Sequence, residues 1–171
     1  MARIPYNDMT NIRPDMAVEL AKRFEANIYR MLGNGGSAAA GMLKLGSALR
    51  FDGVLDDIAR ELVILRTGSL SGAAYEIYHH EIIAAEMGMA DDKIRATLDD
   101  GPGSDVFDAF ETALLRFVDE VVRDGKASEA SFTALAGYYS PEELIETTLL
   151  VGYYMMASRF LQTFEVDIDT H

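Results

Sequence analysis

The stretch RELVILRTGSLSGAAYEIYHHEIIAAEMGM, Arg60–Met89, decides how this chain is read. Its first half predicts a helix over about Leu55–Ser69, with Ile58, Leu62 and Leu65 on the apolar face and Glu61 on that same face. Asp56 and Asp57 sit in the first turn, where the helix dipole favours negative charge. A short break at Ser71–Gly72 precedes a second helix over about Ala73–Met87, which stops at Gly88. Glu76 and His80 are four apart on it, so both side chains leave one face about 6 Å from each other. Ionisable groups on apolar faces cost free energy unless they are partnered or used, and this segment has three.

Outward from this hairpin the pattern stays helical. A helix over about Asp15–Leu32 has Ala17, Leu20, Ala21, Phe24, Ile28, Met31 and Leu32 at spacings of three and four, and GNGG at 33–36 ends it. A small-residue helix over about Ser37–Leu49 starts with Ser37 as its cap. Beyond the hairpin come a short helix over about Asp91–Leu98, the loop DDGPGS at 99–104, and a helix over about Asp105–Arg123 ended by Gly125. Two serine-capped helices follow, about Ser128–Ala136 and Ser140–Phe164. In the last, Ser140-Pro141-Glu142-Glu143 combines a capping serine, proline at the first helical position and glutamate at the third, which is a capping box. That helix is apolar over most of its circumference, which suits a core or a subunit interface. Alternating strand-like runs, internal repeats and linkers are missing. The expectation is one all-α domain over residues 1–171, a bundle of about seven to eight helices.

Composition narrows the function. A net charge of −13 and a pI near 4.5 disfavour phosphate backbones and anionic lipid surfaces, so nucleic-acid and membrane partners are not expected. The chain has no cysteine, which removes thiolate nucleophiles, disulfides and CxxC redox cycling. MARIPYNDMTNIRPD at the N-terminus has no apolar signal region, and Thr147–Ser158 is too short for the roughly 20 residues a membrane span needs. A cytoplasmic protein is the expectation.

The candidate chemistry is acid–base. A carboxylate beside an imidazole orients the ring and favours its protonated form, giving a group that exchanges protons near neutral pH. The competing reading of Glu76 and His80 is an ion pair worth a few tenths of a kcal/mol to the helix. Against it, two of the chain's three histidines, His79 and His80, lie at this one point. Glu61 is either salt-bridged to Arg60 or Arg66, or a second carboxylate facing the Glu76–His80 pair. Glu76 and His79 form one Glu-x-x-His, whereas a di-iron helical site needs two, so no metal is assigned. Ser69 and Ser71 lack a GxSxG elbow, and the glycines at 33, 35 and 36 are not followed by GK[ST].

Arg60–Met89, the acidic-start helix ADDKIRATL, ALLRFVDEVVRDGKASEASFTAL and SPEELIETTLLVGYYMMASRFLQTF together resemble the carboxymuconolactone decarboxylase family, which includes the alkylhydroperoxidase AhpD. The resemblance spans about residues 43–166. It implies an all-α AhpD-like fold in homotrimers or homohexamers, a small-molecule substrate and no cofactor. Glu61 falls on the family glutamate and His80 on the family histidine, while Ala73 and Glu76 occupy the positions of the two cysteines of the peroxidase branch. Thiol-dependent peroxide reduction is therefore disfavoured, and the decarboxylating branch is left. On that reading His80, Glu76 and Glu61 are catalytic: His80 donates the proton, Glu76 orients it and Glu61 is a second acid–base or positioning group. Tyr75, His79 and Arg66 bind a small carboxylated lactone or related carbon acid. Arg50 and Arg159 are further candidates for its carboxylate. The alternative is a non-catalytic oligomeric protein that binds a small ligand.

Overall fold

The computed structural model describes residues 1–169; among them are nine α-helices and one short 3₁₀ turn, with no strand. The chain divides into two compact units, Met1–Gly53 together with the segment from Phe160 onward, and Val54–Arg159.

The first unit contains α1 (Pro14–Leu20), α2 (Asn27–Leu32) and α3 (Ser37–Phe51). The helix expected over Asp15–Leu32 is therefore two helices. Between them Arg23 turns its guanidinium onto the carbonyls of Glu19 and Leu43, and Ala26 is fully extended at φ −151°. The break lets Met16 from α1 and Tyr29 and Leu32 from α2 bury in one cluster with Ala40 and Leu43 of α3. Ser37 is the first helical residue rather than the cap; that place belongs to Gly36, with no side-chain hydrogen bond.

The second unit is built around α4 (Asp57–Leu70), whose residues from Ala59 to Gly68 are all buried. The Asp56 side chain caps it, accepting from the Ile58 and Ala59 amides at 3.0 and 3.3 Å. Around it lie α5 (Ala74–Glu86), α6 (Asp91–Leu98), the 3₁₀ turn Gly101–Gly103, α7 (Ala109–Asp124) and α8 (Glu129–Ala136). The last helix, α9 (Pro141–Phe164), starts with the expected box: the Glu143 amide donates to Ser140 Oγ and the Ser140 amide to Glu143 Oε2 at 2.7 Å. α7 begins four residues later than its sequence pattern suggests. The reason is a second capping box, in which Asp108 and Glu111 exchange amide-to-carboxylate bonds at 2.8 and 3.1 Å. No described helix is long and apolar enough to cross a membrane.

Candidate acid–base site

The site is assembled by the turn between α4 and α5. Gly72 takes the left-handed conformation (φ +64°), and the Ala73 amide reaches back to the Gly68 carbonyl at 2.9 Å, closing the end of α4. The chain reverses there, so residues equally far from the turn come level. Glu61 lies ten residues before Ser71 and His80 eight after Gly72. At a rise of 1.5 Å per residue the two are within about 3 Å along the helix axes.

Their side chains meet. His80 Nδ1 is 2.6 Å from Glu61 Oε2, with the two groups buried to 4% and 1% exposure. His80 Nε2 lies 3.6 Å from Glu76 Oε2, which is ion-pair range and beyond hydrogen-bond length. Tyr154 of α9 packs edge-on against the imidazole, with ring centroids 5.2 Å apart. An imidazole whose Nδ1–H is fixed on a buried carboxylate presents Nε2 in one orientation, as acid–base catalysis requires. Among the described residues no group of three histidines, aspartates and glutamates is arranged to hold a metal ion.

The structure thus brings Glu61, Glu76 and His80 together, with the closer contact made by Glu61 rather than Glu76. Glu61, expected as a second acid–base or positioning group, is the close partner of the ring, on Nδ1. Glu76, expected to orient it, faces the other nitrogen from its own helix. His79 is buried one position along and sits against the rings of Tyr75 and Tyr78, at 4.6 and 5.2 Å between centroids.

Arg66, expected to bind substrate, is committed elsewhere. Its guanidinium makes a two-point contact with Asp119 of α7, Nε to Oδ1 at 2.6 Å and Nη2 to Oδ2 at 2.9 Å. Nη1 donates to the carbonyl of Thr97 at 3.1 Å, and the whole group is buried. Gly101, at φ +57°, makes room for it: a Cβ there would stand 2.3 Å from Arg66 Cζ. Sequence reasoning missed Asp119 and Tyr154 as partners. The sequence marks Asp119 only as a carboxylate in a helix of otherwise apolar facing residues, which is a weak signal.

Residues 37–120 match the family model described as the carboxymuconolactone decarboxylase family. No curated protein matches the chain. Among solved structures, an alkylhydroperoxidase AhpD core protein from Ralstonia eutropha superimposes with a TM-score of 0.85 at 18% identity, covering 98% of this chain and 92% of that one. A protein of Agrobacterium tumefaciens linked by name to the antioxidant protein AhpD gives 0.73 at 23% identity, over 78% of this chain and 92% of its own. The debrominase Bmp8 gives 0.74 at 20% identity, over 91% and 83%, and a variant of that debrominase has been seen in complex with 2,3,4-tribromopyrrole. At these identities the structures share the fold. With the family model lying across the hairpin that carries Glu61, Glu76 and His80, residues 37–120 of this cysteine-free chain are those of the carboxymuconolactone decarboxylase family.

Proposed function

We propose that this protein is a lyase that uses His80 for proton transfer to a small carboxylated lactone or related carbon acid. The observation that carries the reading is the buried imidazole held between two carboxylates, Glu61 at 2.6 Å and Glu76 at 3.6 Å. In the step envisaged, the bond between the substrate carbon and its carboxylate breaks and carbon dioxide leaves. The electron pair enters a dienolate delocalised onto the lactone carbonyl. His80 Nε2 then delivers a proton to carbon, and solvent restores it. Glu61 keeps the ring in the orientation that leaves Nε2 for the substrate, and Glu76 stabilises the imidazolium from the opposite side. Tyr75 and His79, on the same helix, are the proposed substrate contacts.

Incubation with γ-carboxymuconolactone tests the dicarboxylated member of this class by release of carbon dioxide. His80→Gln lowers turnover by about 10²-fold or more if the histidine moves the proton. No carbon dioxide above background rejects this substrate.

The near-complete burial of all three groups supports a second reading, in which the cluster is structural and the protein binds a ligand without turnover. The two part on Glu61→Gln, which keeps the shape and removes the charge. A structural cluster shows the change only in stability, whereas a catalytic one shows it in turnover of protein that remains folded.

A further inference from the structure

Ala109, Ala113, Arg116 and Glu120 are spaced four, three and four along α7 and so form one stripe of that helix. The stripe shares a cleft with Ala130, Ser131 and Ala134 of α8, and with Tyr138 just beyond the end of α8. Alanines thus stand on both helices where larger side chains would interlock, and a space of about 420 Å³ is left. Small-molecule sites run from roughly 300 to 1,000 Å³. None of the residues lining this cleft belongs to the Glu61–Glu76–His80 cluster.

Its two charged groups are unequally committed. Glu120 gives both carboxylate oxygens to the cap of α8, accepting from the Ser128 amide at 2.6 Å and the Ser128 hydroxyl at 3.2 Å. Arg116 has no hydrogen-bond or ion-pair partner among the described residues. Ser131 is 8% exposed, and its hydroxyl also has no partner. Its place in the helix explains this. Ser131 is the third residue of α8, so the carbonyl four residues back precedes the helix, and its amide is already spent on Ser128 Oγ at 3.2 Å. A buried hydroxyl without a partner costs free energy that an incoming acceptor recovers, and rotation about χ1 re-aims it. Tyr138, 53% exposed, adds an aromatic wall backed by the Phe110 ring at 5.5 Å between centroids.

We propose that this cleft is a second ligand site, which takes a small aromatic monocarboxylate. The carboxylate pairs with the free guanidinium of Arg116, which offers two parallel donors to it, and the Ser131 hydroxyl supplies a further one. The ring lies on the alanine methyls beside Tyr138. One negative charge matches the one uncommitted cation, whereas a second would face the Glu120 carboxylate within a chain of net charge −13. The alanine walls favour a body with an apolar surface over a bare inorganic anion.

Benzoate is the probe, titrated into the isotope-labelled full chain while amide shifts are followed by NMR. A fragment of this size binds with a Kd of about 1 mM, so the shifts saturate by about 20 mM and gather on α7 and α8. Arg116→Gln, at an exposed position, weakens binding by about 10-fold or more. Ala134→Leu fills the cleft from another exposed position and abolishes binding with Arg116 still present. Ser131→Ala weakens binding by about 3-fold or more, yet the urea midpoint without ligand holds or rises, because an unsatisfied hydroxyl is removed. A hydroxyl with a purely structural role would lower that midpoint and leave binding alone. Sulfate, which has charge without a ring, and benzyl alcohol, which has a ring without charge, each bind about 10-fold more weakly or worse. No saturable shift by about 20 mM, shifts centred on His80, sulfate binding as tightly as benzoate, or unchanged binding in Arg116→Gln or Ala134→Leu each overturns the proposal.

Discussion

Replacing Arg66 by methionine keeps most of the side-chain volume and leaves the Asp119 carboxylate without the guanidinium that holds both its oxygens. Arg66 is 3% exposed and Asp119 9%, so water replaces the lost contacts poorly. Removing one member of such a pair typically costs about 3–5 kcal/mol, most of it from the charge left behind. Arg123, with Nη1 3.4 Å from Asp119 Oδ2, retains part of the compensation and sets the expectation at the low end, about 3 kcal/mol. With a urea m-value of about 2 kcal/mol/M, the unfolding midpoint falls by about 1.5 M. Asp119→Leu alone leaves the guanidinium buried and is comparably harmful. The double variant Arg66→Met/Asp119→Leu removes both charges at once and regains most of the loss, so the coupling energy is about 2 kcal/mol or more. A midpoint shift below about 0.5 M for Arg66→Met, or additive single effects, refutes the structural assignment of this pair. Full stability with lost turnover would instead return Arg66 to the role of substrate ligand.

Two further outcomes are expected. Gly101→Ala forces a non-glycine residue to φ +57° and sets its Cβ against the Arg66 guanidinium, so it destabilises by about 2 kcal/mol or more in the same urea assay. The Tyr6 hydroxyl donates to Asp167 at 3.0 Å and holds its carboxyl below the usual range, with the Ala2 amide adding to the effect. A carboxyl lowered in the folded state stabilises fully above its unfolded value, about 3.9, and that contribution is lost as pH falls from there through its lower folded value. Protection factors of amides in the N-terminal segment, corrected for the intrinsic slowing of exchange with falling pH, should therefore decline below about pH 4 in the native protein and less so in Asp167→Asn.

Most of the helices are legible in the sequence because their signals are local. The Ser140 box, the Ser128 cap, the acidic first turn of α4 and the left-handed Gly125 lie within a turn of the boundary they set. The break at 21–26 is not, because it depends on Arg23 finding the Leu43 carbonyl, twenty residues away. The start of α7 is ambiguous because Asp105 and Asp108 are both plausible first-turn acids, and only Asp108 has a glutamate three residues on. At the site, the spacing of Glu76 and His80 announces their shared face. That Glu61 rather than Glu76 holds the ring is hidden, since it follows from how the two helices are levelled by the turn. Arg66 misleads for a related reason: its partner lies 53 residues downstream, and an arginine beside a candidate site looks the same in sequence whether it meets a substrate or a buried aspartate.

The commitment of Arg66 also bears on which substrates this site can accept. Glu61 and Glu76 with His80 sum to −1 when the imidazole carries its proton and both carboxylates are ionised, and to −2 when it does not. The chain as a whole carries a net −13. An incoming dianion meets repulsion at long range and no free guanidinium from α4 at short range. On the proposed reading an anion of single charge meets less repulsion; carbon dioxide leaves neutral and its charge stays on the dienolate until His80 delivers the proton. Over a whole turnover the substrate's charge is neutralised by a proton drawn from solvent through His80, so the neutral products of the proposed lyase are repelled less than a monoanionic substrate. On the proposed lyase reading, the acidity of a buried histidine flanked by two glutamates ranks a monocarboxylate above a dicarboxylate, and comparing carbon dioxide release from the two reads that preference directly.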